Sequence, residues 1–312
     1  MTASPRVESW LPSAVQTPDR RALHDRFDRR RPRFPSGDLA RWGGVLLVCT
    51  AAGLGCTPDG NNGMADMTPP PDPQLRFAHF LVDIPAFDIC VKGPGDADFT
   101  GPLIRAALQR NGGVAYGYAT GYVQLKPVSY QAHVVPGTAT GCAGPSLGSI
   151  PDMNFTTLVA GKRYTLAAIG NPLVTGRLPA VTLLEDDITP QAGQARLRFV
   201  HGADGQGSVE FGSGSSGTYS KLSTADYSKA GDTGAGAYST VQPVANGTYS
   251  VRTAGSGGDL FSLMNKITLA AGSVYTATVM GQAGSGTSPL AISLCNDTAA
   301  LTSGLASCNE LR

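Results

Sequence analysis

Leu75-Arg76-Phe77-Ala78-His79 returns later in the chain as Leu197-Arg198-Phe199-Val200-His201. Two more pairs of similar stretches follow in the same order, 159–172 with 269–283 and 181–187 with 291–297. The order is kept, and only the spacing between the paired stretches changes. The sequence therefore predicts one structural unit that occurs twice, with loops of different length.

The composition indicates small β domains. The chain has 312 residues, including 40 Gly and 22 Pro, and only 15% of its residues are charged. Hydrophobic residues reach 41%, which is enough for a packed core. A repeat of roughly 110–120 residues is large enough to fold around a core of its own.

Strand signals dominate both repeats, and only 102–111 has the apolar spacing of a helix. The first repeat is predicted to form strands near 75–82, 86–92, 114–118, 121–125, 128–135, 163–169 and 180–185. The second is predicted to form strands near 195–201, 207–212, 237–243, 247–253, 260–269, 273–280 and 289–295. The Gly- and Ser-rich stretch 202–237 is expected to be long loops that serve as a spacer around one short strand.

This pattern predicts an all-β fold. About seven short strands per repeat, with turn residues between them, are typical of immunoglobulin-like β-sandwiches. We expect two such domains in tandem, at 75–190 and 191–300, with a C-terminal tail at 301–312.

Charge is distributed unevenly along the chain. Residues 1–56 contain nine Arg and five acidic residues, whereas the rest contains 15 basic and 18 acidic residues. The predicted domains are therefore mildly acidic and have no basic stripe that could bind phosphates. We expect no nucleic-acid partner.

Residues 1–56 are predicted to be a leader that directs export. An Arg-rich segment precedes the apolar run 43–54, which is too short to be a stable membrane anchor. The run ends at Cys56 and resembles a bacterial lipobox, in which the cysteine is lipidated, although Leu54 lies two residues before the cysteine instead of three. The alternative is an ordinary signal peptide cut near Ala52, which would leave Cys56 as a free thiol.

Residues 57–74 are predicted to be a disordered tether. The segment is rich in Pro, Gly, Asn and Asp, and the three prolines at 69–71 favour an extended conformation. Thr57 follows the cysteine. In the enterobacterial sorting pattern an Asp at this position favours retention in the inner membrane, so an outer-membrane lipoprotein is favoured here.

Four cysteines follow the leader, Cys90, Cys142, Cys295 and Cys308, the last of them in the predicted tail. An even number in an exported protein predicts two disulfides, for which three pairings are open. Proximity in the sequence favours Cys90–Cys142 and Cys295–Cys308. None of the four has another Cys or a His two to four residues away, so no metal site is predicted.

The histidines are expected to be structural. His79 and His201 end equivalent strands, where each would cap a turn or bind a backbone carbonyl. No nucleophile recurs at matching places in the two repeats, as a duplicated catalytic site would require. His133 lies within a predicted strand and has no carboxylate near it in the sequence. Neither a catalytic residue nor a cofactor is predicted.

Three patterns that resemble functional motifs are interpreted as coincidental. Residues 144–148 match Gly-x-Ser-x-Gly, but the strand-to-helix elbow of a hydrolase is not predicted around Ser146. Residues 212–217 match Gly-x-Gly-x-x-Gly without the βαβ unit of a nucleotide site. The acids at 185–187 and Asp297 are too few for a calcium site, which needs six or more oxygens, so a solvated turn is expected.

The opening of the first repeat resembles a known family. Its basic and apolar strand ends in His79 and continues as Asp83-Ile84-Pro85-Ala86-Phe87-Asp88 before a turn at Gly93. This is similar to the bacterial domain of unknown function DUF4397, whose members follow such a strand with Asp-x-Pro-Ala-x-Asp. The second repeat, 195–297, lacks the Pro and the second Asp of this motif. The resemblance implies a secreted or lipid-anchored β protein and brings no established activity with it.

Together these features favour a cell-envelope lipoprotein that is anchored to the outer membrane through Cys56. We expect a structural or adhesive role, or the binding of an extracellular protein or polysaccharide, and no enzymatic activity. The alternative is a secreted hydrolase that acts on cell-wall or extracellular polymer. That function would need a cleft lined by acids and an ordered loop at 202–237.

Overall fold

The computed structural model describes residues 70–147, 150–174, 179–231, 238–285, 287–300 and 307–312. Its first half contains the elements β1 (Gln74–Leu81), β2 (Phe87–Lys92), α1 (Leu103–Leu108), β3 (Val123–Gln124), β4 (Tyr130–Pro136), β5 (Met153–Phe155), β6 (Arg163–Gly170) and β7 (Ala180–Glu185). Its second half contains β8 (Ala195–His201), β9 (Val209–Ser213), β10 (Ser220–Ala225), β11 (Ser239–Val241), β12 (Val244–Thr253), β13 (Asp259–Leu269), β14 (Val274–Met280), β15 (Ala291–Asn296) and β16 (Ser307–Leu311).

Each half is a sandwich of two sheets. In the first sandwich the sheet β3-β1-β6-β7 packs on the sheet β2-β4-β5, and in the second β11-β8-β14-β15-β16 packs on β10-β9-β12-β13. Each pair of sheets encloses its own cluster of buried apolar side chains. The predicted all-β class of sandwich domains is confirmed.

The two sandwiches have the same connectivity at their centres. Strands β1 and β6 are parallel with Leu75 opposite Tyr164, and β8 and β14 are parallel with Leu197 opposite Tyr275. An antiparallel strand follows in each case, β7 beside β6 and β15 beside β14. The stretches that recur in the sequence thus occupy equivalent places in the fold.

The strand β1 shows why the recurring stretches are so apolar. Leu75 and Phe77 belong to the core of the first sandwich, whereas Ala78 and Phe80 belong to a third cluster that also contains Val200 of β8. The sheets β3-β1-β6-β7 and β11-β8-β14-β15-β16, called the inner sheets below, therefore pack against each other. A strand that is covered on both faces needs apolar side chains on both.

Some elements differ from the sequence prediction. Residues 114–118, predicted as a strand, form a turn in which Val114 makes a bridge to Phe87, and Gly117 has a φ of 81° that an extended strand does not allow. The predicted loops of 202–237 include strand β10, which pairs with β9. Part of the predicted tail is strand β16, at the edge of an inner sheet.

The predicted leader 1–56 and the tether up to residue 69 lie outside the described residues. The end of the predicted tether is ordered, because the carbonyl of Pro71 accepts the backbone N–H of Gly161 and Gln74 begins β1. Among the residues that are described, no helix is long and apolar enough to cross a membrane.

Candidate functional site

The cysteines form two disulfides, Cys90–Cys142 and Cys295–Cys308, which is the pairing that proximity in the sequence favours. Cys308 on β16 lies directly opposite Cys295 on β15. The second bond therefore fastens the edge strand β16 to its inner sheet. Cys56, the predicted lipidation site, lies outside the described residues.

His79 and His201 bind backbone groups at the ends of inner strands. In each ring Nδ1 accepts a hydrogen bond from the backbone N–H two residues later, at 3.1 and 3.3 Å. The Nε2 atom of His79 lies 3.1 Å from the carbonyl oxygen of Ile84, and that of His201 lies 2.8 Å from the carbonyl oxygen of Gly207. Both rings are therefore neutral, with the proton on Nε2. The predicted contact of each ring with a backbone carbonyl is present.

Burial lowers the pKa of both histidines. Desolvation brings the pKa of His79 to about 4, although the carbonyls at Nε2 act in the opposite sense. The pKa of His201 is lowered for the same reason. Both side chains are fully buried and pack edge-on against a tyrosine, Tyr116 or Tyr227. A buried, neutral ring of this kind stabilises the turn that follows its strand.

The fold brings a carboxylate to His133 that the sequence does not place near it. Nδ1 of His133 lies 2.6 Å from Oδ1 of Asp152, and the ring packs against Phe99. Its Nε2 is buried and has no hydrogen-bond partner within the described part of the chain. A His–carboxylate pair is the orienting half of many hydrolytic sites, but catalysis also needs a nucleophile at Nε2. The described residues place none there.

The two remaining motif matches occupy ordinary turns. The hydroxyl of Ser146 donates to the carbonyl of Val134 at 3.1 Å. Gly214 and Gly217 have positive φ in the turn that joins β9 to β10. Neither match has the helix that its chemistry requires among the described residues. No group of three or more His, Cys, Asp or Glu side chains in these residues is placed to hold a metal ion.

The acids at the ends of β7 and β15 are not all in solvated turns. Asp187 is exposed and pairs with Arg196, but the side chains of Asp186 and Asp297 are fully buried. The expected solvated turn is therefore wrong at these two positions. The physical reason is that each carboxylate meets an arginine from the other sandwich.

Two ion pairs cross between the inner sheets. Nη2 of Arg76 on β1 donates to Oδ1 of Asp297 at 2.7 Å, and Nη2 of Arg198 on β8 donates to Oδ1 of Asp186 at 2.7 Å. Arg76 and Arg198 hold the same place in the recurring strand, so the contact is reciprocal. Such reciprocity is the mark of a two-fold interface between like surfaces, here formed within one chain. We call these four side chains the crossed ion pairs.

Hydroxyl groups supply further hydrogen bonds to both carboxylates. Each carboxylate accepts a tyrosine and a threonine hydroxyl of its own sandwich between 2.6 and 3.0 Å, from Tyr122 and Thr165 at Asp186 and from Tyr238 and Thr276 at Asp297. The arginines lie over the tyrosine rings, with 5.2 Å from Arg76 to the centroid of Tyr122 and 4.7 Å from Arg198 to that of Tyr238. Buried charges of this kind need such partners to offset their desolvation.

Arg76, Arg198 and Asp186 stay charged despite their burial. Desolvation acts against the charge of Arg76, but Asp297 and Asp186 outweigh it and raise the pKa of the guanidinium. The pKa of Arg198 is raised as well. Desolvation would raise the pKa of Asp186, but the two arginines lower it. The pKa values of the two tyrosines are raised, chiefly by burial, so both remain hydrogen-bond donors.

The sequence contains an equivalent Asp in each repeat, but aligning the two recurring stretches residue by residue pairs the wrong ones. Pairing 181–187 with 291–297 places Asp187, not Asp186, at the position of Asp297. The strand registers put Glu185 opposite Tyr164 and Asn296 opposite Tyr275, so the true equivalent of Asp297 is Asp186. A shift of one residue moves a side chain to the other face of a strand.

A groove lies beside the crossed ion pairs. It runs between the free edge of β7 and the end of β10 with the loop 226–231 that follows it, and has a volume of about 570 Å³. The hydroxyl of Thr182 donates to the carbonyl of Ser228 at 2.6 Å across its floor. Asp226 and Lys229 contribute charged side chains to its wall. We call this feature the β7 groove.

The fold and the buried ion pairs define an all-β protein built from two sandwiches that are joined through their inner sheets. Residues 73–212 match the family described as a domain of unknown function, DUF4397, and this match confirms the resemblance of the opening strand. The match covers the first sandwich and reaches strand β9 of the second. A comparison with curated proteins found no match to the chain.

Proposed function

We propose that this protein is a non-catalytic lipoprotein of the cell envelope, whose paired sandwiches form a rigid body that binds a surface ligand or braces the envelope. One observation carries the proposal. The polar side chains that recur in both halves, Arg76 with Arg198 and His79 with His201, are buried and bound to groups of the protein itself.

The chemistry of these groups supports a structural role. A general acid or base must reach the reacting atom and exchange protons with it. The recurring histidines are neutral and closed from solvent, and the recurring arginines are neutralised by buried carboxylates. The polar residues at matching places of the two sandwiches thus join and stabilise them.

Export and anchoring are supported by the cysteines and by the leader. Two disulfides are typical of a protein that folds in an oxidising compartment. The apolar run that ends at Cys56 supports lipidation, and Thr57 after it supports the outer membrane. The part of the segment 57–74 that precedes the first sandwich would hold the sandwiches away from the membrane surface.

The anchor is tested by mass spectrometry of the mature N-terminus and by membrane fractionation. We expect the mature chain to begin at an acylated Cys56 and to sediment with outer membranes. Cys56→Ser should prevent acylation and release the protein, whereas the matched control Cys49→Ser, in the segment removed by cleavage, should change neither. A mature chain with an unmodified Cys56 would overturn the anchor.

The absence of catalysis is tested on the hydrolase alternative. Purified protein is incubated with insoluble peptidoglycan and with labelled extracellular polysaccharide, and we expect no more soluble fragments than with heat-denatured protein. Fragment release that is lost in His133→Ala would assign a hydrolytic role to the His133–Asp152 pair and would overturn a purely structural or binding function.

A further inference from the structure

The two inner sheets end differently at equivalent edges. In the second sandwich β15 is flanked by β16, which covers it from Ile292 to Asn296. In the first sandwich β7 occupies the place of β15, but no described strand pairs with its outer edge. An uncovered strand edge presents unpaired N–H and C=O groups that can accept another strand.

The registers define which residues of the two edges are equivalent. Thr165 and Thr276 take the same place in the crossed cluster, and they lie opposite Leu184 and Cys295 respectively. Continuing along the strands, Thr182 corresponds to Ser293 and Val181 corresponds to Ile292. The position of β7 that corresponds to the disulfide of the second sandwich is therefore Leu184.

The residues of the opposite sandwich that lie next to β15 and β7 also correspond. Ser293 donates its hydroxyl hydrogen bond to the carbonyl of Gly117 at 2.6 Å, and Thr182 donates to the carbonyl of Ser228 at 2.6 Å. The backbone N–H of Gly117 binds the carbonyl of His79, and that of Ser228 binds the carbonyl of His201. The β7 groove is thus the counterpart of the slot that β16 fills.

We propose that the β7 groove binds an extended segment of another protein as an added antiparallel strand. This proposal names the ligand of the binding role proposed above, and it does not depend on the lipid anchor. Addition of a strand to a free sheet edge is an established mode of peptide recognition, in which backbone hydrogen bonds supply affinity and side-chain pockets supply specificity.

The side chains of β16 indicate the chemistry of that segment. Cys308 lies in the cluster between the inner sheets, and Leu311 packs on the core of the second sandwich. By the registers, the added strand should place a small apolar residue opposite Leu184 and a larger apolar residue opposite Val181. Alternation of this kind follows from the period of two in a strand.

Charge favours an acidic residue between those two. Glu310 of β16 lies opposite Ser293, next to Gly117. Its counterpart in the β7 groove would lie opposite Thr182, beside Ser228 and the exposed Lys229. Asp226 lines the same wall, but its carboxylate accepts the hydroxyl of Ser208. A cation at this place complements an acidic side chain and would fix the register of the added strand.

The chain's own C-terminal strand is not available as the occupant. The pairing of β16 with β15 and the disulfide Cys295–Cys308 hold it in the second sandwich. The occupant is therefore a strand from a partner, and a second copy paired through its own β7 is the alternative outcome of the test.

The first test is register-specific cross-linking. The variant Leu184→Cys is made in the full chain with Cys49→Ser and Cys56→Ser, so that it has one free thiol beside the two disulfides. It is mixed with a peptide that has the sequence of residues 307–312 and whose cysteine forms a mixed disulfide with thionitrobenzoate. Attack of the protein thiol on this disulfide releases thionitrobenzoate. We expect this reaction to be roughly tenfold faster than with a peptide whose cysteine is moved by one position, since that thiol faces the other side of the strand.

The second test needs no engineered thiol. A fluorescent peptide with Ala in place of the cysteine is titrated with the oxidised protein, and its anisotropy is measured. We expect saturable binding that Lys229→Glu weakens roughly two- to fivefold, as for an exposed ion pair. The matched control Lys266→Glu, on the outer sheet of the second sandwich, should leave the affinity unchanged.

The outcomes separate the occupants. Equal cross-linking rates for the two peptides, together with no saturable anisotropy change, would overturn the proposal. A Leu184→Cys protein that forms a disulfide-linked dimer without peptide, and sediments as a dimer before oxidation, would assign the groove to a second copy and overturn the choice of partner. Either result leaves the acylation of Cys56 as a separate measurement.

Discussion

At the scale of the residue, His79 and His201 show why histidine is needed at the end of the recurring strand. Each ring accepts a backbone N–H at Nδ1 and donates from Nε2 to a carbonyl on the far side of the turn. Only a neutral imidazole presents an acceptor and a donor on opposite sides of a rigid ring. Protonation would give Nδ1 a hydrogen and break the first of these bonds.

We therefore predict that acid destabilises the protein through these residues. The pKa of His79 falls from 6.5 to about 4 on folding, so the unfolded chain binds more protons between these values, and stability falls as the pH drops. Between pH 6.5 and 4, the lowered pKa of His79 should reduce the free energy of unfolding by about 3 kcal/mol. The lowered pKa of His201 should reduce it further. Urea unfolding at several pH values measures this loss.

The variant His79→Gln identifies the source of the pH dependence. Glutamine can still donate to the carbonyl but does not titrate, so the slope of stability against pH between 6.5 and 4 should be smaller than in the unmodified protein. The pKa of Asp186 is lowered on folding, so its contribution to stability is lost only below the pH at which an ordinary carboxyl group titrates. Asp186 therefore does not account for the slope between pH 6.5 and 4. An unchanged slope in His79→Gln would contradict the assignment.

At the scale of the element, α1 is held by a side chain from a neighbouring strand. The buried carboxylate of Asp88 on β2 accepts the backbone N–H groups of Ile89, Ile104 and Arg105, between 2.7 and 2.9 Å. Two of these donors belong to the first turn of α1, where no intrahelical acceptor exists. The second Asp of the Asp-x-Pro-Ala-x-Asp motif is thus a helix cap supplied from outside the helix.

We predict that Asp88→Ala lowers the free energy of unfolding by about 2–3 kcal/mol, because it leaves buried N–H groups without an acceptor. Asp88→Asn keeps one acceptor oxygen and should lose less. The exposed Asp98→Ala serves as the control for a lost negative charge and should change stability by less than about 0.5 kcal/mol. Chemical denaturation measures all three, and equal losses for Asp88→Ala and Asp98→Ala would contradict the capping role.

The elements also show which parts of the fold the sequence could predict. The long inner strands β1, β6, β8 and β14 were predictable because both of their faces are apolar. Strand β10 was not, since its polar residues are held by pairing with β9 rather than by a buried face. The turn at 115–118 contains the same residue types as a strand, and only the positive φ of Gly117 breaks it.

At the scale of the whole molecule, the two sandwiches meet as two subunits of a symmetric dimer would. Arg76 of the first binds Asp297 of the second, and Arg198 of the second binds Asp186 of the first. The sequence contained all four residues at recurring positions. It could not show that they cross, because this depends on how the inner sheets pack. In the structure Arg76 contacts both carboxylates, Asp297 of the other sandwich at 2.7 Å and Asp186 of its own sandwich at 3.4 Å.

The last prediction tests the crossed ion pairs by a double-mutant cycle. Arg198→Met should destabilise the protein by about 3–5 kcal/mol, because it leaves Asp186 buried with less compensation. Adding Asp186→Asn removes that charge, so the double variant should lose less than the sum of the single losses, with a coupling of about 1–3 kcal/mol. The equivalent pair of Arg76→Met and Asp297→Asn should give a similar coupling. The single loss for Arg76→Met should be the larger one, because Arg76 also lies 3.4 Å from Asp186.

The chain offers a control at the same distance. Lys162 and Glu185 also lie 2.7 Å apart, but both side chains are about half exposed, so water and salt screen their attraction. A cycle of Lys162→Met and Glu185→Gln should give a much smaller coupling that decreases further in salt, whereas the coupling of the crossed ion pairs should persist. Equal couplings at the two sites would mean that burial between the inner sheets does not strengthen the crossed pairs. The two sandwiches would then be joined chiefly by the apolar cluster of Ala78, Phe80 and Val200.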